Sequence, residues 1–85
     1  PFGYTALLNA SKKGHTQIVR ALLANKADVN FSNEDGETAL MYASLNGYID
    51  IINLLIKYGA DVKCRNKEGK TAYDLAKTDE IRKLL

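Results

Sequence analysis

The chain has 85 residues, a net charge of +2 and 46% apolar residues. These values are ordinary for one small folded domain, and the net charge is too small to imply nucleic acid or an anionic membrane surface as the partner. Cys64 is the one cysteine, which excludes an intrachain disulfide and a cysteine-based zinc site and points to a reducing, intracellular and cytoplasmic setting; no apolar run is long enough to span a bilayer, so no membrane insertion is expected.

A 33-residue self-similarity organises the chain. Thr5, Thr38 and Thr71 are spaced by that interval, and so are Gly3, Gly36 and Gly69, and Ala10, Ala43 and Ala76. The run Ala27-Asp28-Val29 returns as Ala60-Asp61-Val62. A period of this length signals one supersecondary unit copied along an axis, each copy burying its apolar face against the next.

The first copy covers residues 1–33. It is incomplete at its N-terminal side, and no cap precedes it. Its run Ile18-Val19-Arg20-Ala21-Leu22-Leu23 is as apolar as the matching run in the next copy. One flank of this unit is therefore expected to face solvent, another protomer or further copies upstream, with these residues forming the C-terminal part of a longer array.

The middle copy, residues 34–66, is complete. Asn33-Glu34-Asp35-Gly36 reads as a turn, because Asn and Asp hydrogen-bond locally and Gly accepts positive φ. Thr38 fits an N-cap, and a helix is predicted from about Ala39 to Asn46, ended by Gly47. A second helix is predicted from Ile49 to Tyr58, with Gly59 just beyond its end. Ile49-Asp50-Ile51-Ile52-Asn53-Leu54-Leu55-Ile56 is apolar on most sides, which calls for neighbours on several sides. Helices this short are marginal alone, so packing between copies must hold them.

The last copy, residues 67–85, is shortened by about four residues around Thr78 and places charges at several sites that are apolar in the middle copy. It reads as a C-terminal capping unit with a polar outer face. Thr78 or Asp79 is the expected N-cap of its second helix.

The string Asp35-Gly36-Glu37-Thr38-Ala39-Leu40, followed by Ala43, Gly47, Ile51-Ile52, Leu54-Leu55 and Gly59-Ala60-Asp61-Val62, resembles the ankyrin repeat. The resemblance covers nearly the whole chain. It implies an all-α ankyrin-repeat solenoid of stacked helix-turn-helix units, joined by β-turn or hairpin-like loops. The chain departs from the family pattern at Ala6, Ala39 and Ala72, where Pro is usual, and at Leu8, Met41 and Asp74, where His is usual. Lys26 stands where the next copy has Gly59; a left-handed lysine there costs on the order of 1 kcal/mol relative to glycine. Asn30 occupies the position at which enzymatic hydroxylation modifies some ankyrin repeats.

The family's usual activity is non-catalytic binding of other proteins through loop tips and inner helices. Carried onto this sequence, the expected partner-binding residues are Tyr4 and Lys12 in the first copy, Glu34, Asp35, Glu37, Met41 and Leu45 in the middle copy, and Arg65, Lys67 and Lys70 in the third. Leu8 belongs to the same variable set. Tyr4, Met41 and Leu45 are the expected anchors, since exposed apolar or aromatic side chains bind better than isolated charges. The same charges also read as an ordinary solvated surface. The change from Glu34, Asp35 and Glu37 to Arg65, Lys67 and Lys70 would orient a partner of opposite pattern. His15 has no nucleophile or base beside it, and no phosphate loop, calcium loop or paired-carboxylate spacing is present. No enzyme activity, cofactor or metal is expected, and the basic residues lack a base-stacking platform for nucleic acid. The expected partner is a protein or peptide. The alternatives are a structural or assembly element of a larger multidomain protein, or the targeting part of an enzyme or effector encoded elsewhere in the parent chain.

Overall fold

The computed structural model describes residues 2–85, with side chains from Thr5 onward. Six helices follow one another among the described residues: α1 (Phe2–Lys13), α2 (Thr16–Ala24), α3 (Ala39–Asn46), α4 (Ile49–Lys57), α5 (Ala72–Leu75) and α6 (Asp79–Leu84). They form three helix hairpins. The first helices of the pairs stack as α1 on α3 on α5, and the second helices as α2 on α4 on α6. No strand occurs among the described residues.

Local chemistry sets the helix ends. Thr38 Oγ1 accepts from the Met41 N–H at 3.3 Å, Thr71 Oγ1 from Asp74 N at 3.2 Å, and Thr78 Oγ1 from Ile81 N at 3.2 Å. Each removes one orphan donor of the first turn. Thr71 and Asp74 complete a capping box, since the Asp74 carboxylate accepts from Thr71 N at 3.0 Å. Those backbone and side-chain bonds to Thr71 hold the Asp74 carboxyl below its usual range. Of the two residues expected to cap α6, Thr78 does so, while Asp79 begins the helix and pairs with Arg82.

The turns between copies are built by one asparagine each. Asn33 Oδ1 accepts from the N–H groups of Asp35 and Glu37, both at 2.9 Å. Asn66, 33 residues on, accepts from Glu68 and Lys70 at 2.9 and 3.0 Å. The first copy differs: residues Phe2–Thr5 are helical, where their counterparts Asp35–Thr38 form the turn.

Equivalent residues of successive copies make the core. Val19, Ile52 and Ile81 are buried, as are Leu7 and Leu40. Ile81 aligns with Ile52 only if four residues are removed ahead of it, which locates the shortening between α5 and α6. Each such side chain contributes about 1.5–3 kcal/mol by leaving water, and the helices, too short to persist alone, are held by this contact. Backbone bonds also cross between copies. Lys67 N donates to Asp35 O at 3.0 Å, and Lys77 N to Ser44 O at 2.9 Å. Asn30 Oδ1 accepts from Asp61 N at 2.7 Å. The Tyr48 ring closes on Gly14, where an added Cβ would lie 2.8 Å from its Cζ.

Two expectations about exposure fail. Met41 is 2% exposed and Leu8 is also buried. α3 is sandwiched between α1 and α5, so it buries residues on more than one face. The position three after the cap points into that contact. Met41 is core, and it is withdrawn as an exposed anchor.

Candidate functional site

α1, α3 and the loop that joins the first two copies enclose an open groove of about 500 Å3. α1 supplies Thr5, Leu8, Asn9 and Lys12. These residues recur at intervals of three or four, so they share one helix face. The loop supplies Phe31, Ser32, Asn33 and Glu34, and α3 supplies Tyr42.

Tyr42 organises the groove wall. Its hydroxyl donates to Glu37 Oε1 at 2.7 Å and accepts from Asn33 Nδ2 at 3.2 Å. Asn33 Nδ2 also donates to Glu37 Oε1 at 3.0 Å. Thus the asparagine that folds the turn with its oxygen ties the turn to α3 with its nitrogen. The Asn33 and Tyr42 hydrogen bonds hold the Glu37 carboxyl below its ordinary value against the opposing effect of burial, and Lys12 adds attraction. Burial, and then the bond to Glu37, push the Tyr42 phenol up. Lys12 Nζ stands 5.7 Å from the centroid of the Tyr42 ring, within reach of a cation–π contact.

The expected binding residues fall into distinct places. Lys12 and Glu34 are exposed and line the groove. Leu45, one helical turn beyond Tyr42, is 50% exposed. Asp35 and Lys67 are exposed at adjoining hairpin tips and line a small cleft with Glu37. Arg65 and Lys70 are exposed on the second hairpin, where Arg65 Nη1 donates to Gly69 O at 2.8 Å. Glu37 is half-buried, and its carboxylate serves the wall. Met41 is buried, and the side chain of Tyr4 lies outside the described residues. The acidic and basic tips are neighbours, joined by the bond from Lys67 N to Asp35 O.

Reading the sequence alone missed Tyr42 and Asn9 as groove residues. The signal for Tyr42 was its place: it is the counterpart of Asn9 and five residues after Glu37. The Asn30 carboxamide, flagged as a modification position, is engaged by Asp61 N and donates to Gly59 O at 3.4 Å. Among the described residues no group of three or more His, Cys, Asp or Glu converges to hold a metal ion, and no helix is long and apolar enough to cross a membrane.

Short helix pairs translated by 33 residues, with hairpin tips along one edge and a groove beside the inner helices, define a helical-repeat solenoid. The model of the family described as ankyrin repeats (3 copies) matches residues 1–66 and again 25–84; the chain belongs to the ankyrin-repeat family. No curated protein matches it. Ankyrin repeats are generally protein–protein interaction modules, typically non-catalytic and commonly intracellular.

Proposed function

We propose that this chain is a non-catalytic module that binds a protein or peptide through the groove beside α1 and α3 and through the hairpin tips. The groove carries the reading. It is formed in advance by the Asn33–Glu37–Tyr42 hydrogen bonds, so little ordering entropy is lost when a partner enters. Its free wall offers Lys12 and Asn9, and Leu45 supplies exposed apolar surface on the same inner helices. Glu34 and Asp35, next to Arg65, Lys67 and Lys70, would fix the direction of a partner with the opposite charge order. Immobilised protein should retain a partner that the Lys12→Glu and Leu45→Glu variants release, with melting midpoints moved by less than about 2 °C. Equal retention by both variants would reject the groove.

A second reading, an assembly element, rests on another face. Ile18 is 49% exposed although its counterpart Ile51 is fully buried. Self-association through that face would show as a concentration-dependent dimer in sedimentation.

A further inference from the structure

We propose that Ser32 is a phosphorylation site for a serine/threonine kinase that requires acidic residues just after its target, and that the added phosphate takes Lys12 and closes the groove beside α1 and α3. Ser32 is exposed in the loop between α2 and α3 and lines that groove. Neither its main chain nor its hydroxyl makes a hydrogen bond among the described residues. Glu34 and Asp35 follow closely in sequence, and both are exposed. A kinase reads such a charge pattern through cations beside its own active site. Two other hydroxyls precede acids: Thr71 ahead of Asp74, and Thr78 ahead of Asp79 and Glu80. Each of those caps a helix, with its Oγ1 held by the Asp74 or the Ile81 N–H. Ser11, Thr38 and Ser44 are buried. Ser32 is thus the one described serine or threonine whose hydroxyl is free, exposed and followed by acids.

In the transfer, Ser32 Oγ bonds to the γ-phosphorus of a nucleoside triphosphate as the bond from that phosphorus to the β,γ-bridging oxygen breaks. The nucleoside diphosphate leaves, and the hydroxyl proton passes to the base of the kinase. The product carries about −1.5 to −2 charge and three strong acceptor oxygens. Lys12 is the one cation lining the groove, and its ammonium makes no ion pair among the described residues. That ammonium stands over the Tyr42 ring on the groove wall. Glu34 lines the same groove and repels the new charge, so the phosphate is drawn to Lys12. A partner that needs Lys12 for its own acid then meets a neutralised cation and a dianion. The modification stands independently of any partner, whereas the closing of the groove rests on the binding role proposed for it.

The test incubates the 85-residue chain with ATP, Mg2+ and the catalytic subunit of a kinase of this acid-directed class. A single phosphate should enter, at Ser32 by tandem mass spectrometry, and none should enter Ser32→Ala. The Glu34→Gln, Asp35→Asn double variant should be modified at least about tenfold more slowly, while its circular dichroism spectrum matches that of the parent. In a phosphorus NMR titration the phosphoserine midpoint should lie higher in Lys12→Gln than in the parent, because a nearby cation favours the dianion. No incorporation, phosphate at Thr71 or Thr78, or an equal rate for the double variant would overturn the site. The same midpoint with and without Lys12 would overturn the closing of the groove. If the site and the midpoint shift both hold but the modified chain retains a partner as well as the unmodified chain does, the binding role of the groove fails and the modification stands.

Discussion

Lys26 and Gly59 occupy the same place in successive copies, and exchanging their side chains isolates a backbone effect. Lys26 has φ +68° and is the one described non-glycine residue at positive φ, while Gly59 has φ +90°. Both follow the last helical turn and close it alike. Lys26 N and Ala27 N donate to Leu23 O and Leu22 O, each at 3.0 Å. Gly59 N and Ala60 N donate to Ile56 O and Leu55 O at 3.0 and 2.9 Å. This is the bonding of a Schellman end, which favours glycine at its left-handed position. A side chain with a Cβ in that conformation costs about 1–2 kcal/mol. Glycine returns about 0.5–1 kcal/mol of this through the greater freedom of its unfolded chain. Lys26→Gly should therefore stabilise the protein by about 0.5–1 kcal/mol, which raises the melting midpoint by about 2–8 °C for a domain of this size. Gly59→Lys should lower it by a similar amount. No heavy atom lies within 4 Å of a Cβ built on Gly59, so crowding adds nothing to that loss. Thermal unfolding followed by circular dichroism, with urea titration for the free energies, reads both. A neutral or destabilising Lys26→Gly, or a harmless Gly59→Lys, would refute the reasoning.

Three further outcomes follow from buried or crowded groups. The hydroxyls of Ser11 and Ser44 are fully buried and find no hydrogen-bond partner among the described residues; Ser11→Ala and Ser44→Ala should each stabilise the fold by about 1 kcal/mol in urea titration, and a loss of stability would mean that the hydroxyls are satisfied. Gly14→Ala combines a left-handed φ of +80° with a Cβ placed 2.8 Å from the Tyr48 ring. It should destabilise by about 2 kcal/mol, with part of that loss relieved in the Gly14→Ala, Tyr48→Ala double variant; additive effects would exclude the contact. The Glu37 carboxyl lies below its ordinary value of 4.5 because Asn33 and then Tyr42 donate to it. Its stabilising contribution is thus complete above that value and lost as the pH falls through the lower folded value. Tyr42→Phe should raise the Glu37 titration midpoint seen by NMR, and the stability gap between wild type and variant should narrow on acidification. A gap independent of pH would show that the phenol does not act through this carboxylate.

The local elements were legible because their causes are local. Thr38 caps α3, Asn33 builds the turn, and Gly47 ends the helix in the left-handed region, all through bonds spanning a few residues. The 33-residue period likewise dictated a stack, since no single unit can bury Ile51, Ile52 and Leu55 alone. The binding surface was less legible. Met41 and Leu45 are both apolar residues on the same short helix, yet one is 2% and the other 50% exposed. The inner helix touches a neighbour on each side, so its apolar pattern shows no single wet face, and only the rotation of α3 between α1 and α5 separates core from surface. Glu37 and Tyr42 show the same limit: five residues apart in sequence, they read as a surface acid and an inner-helix aromatic.

The sequence by itself determined the repeat, its caps and turns, and the exposed charges at the hairpin tips, because these depend on residue type and spacing. The tertiary structure decided that Met41 is core, that Glu37 is bound to Tyr42 and Asn33, and that Ile18 stands open where Ile51 is covered. Burial and hydrogen-bond partnership are properties of what packs against a residue, and identical residues in successive copies meet different neighbours at the end of a stack and at its middle.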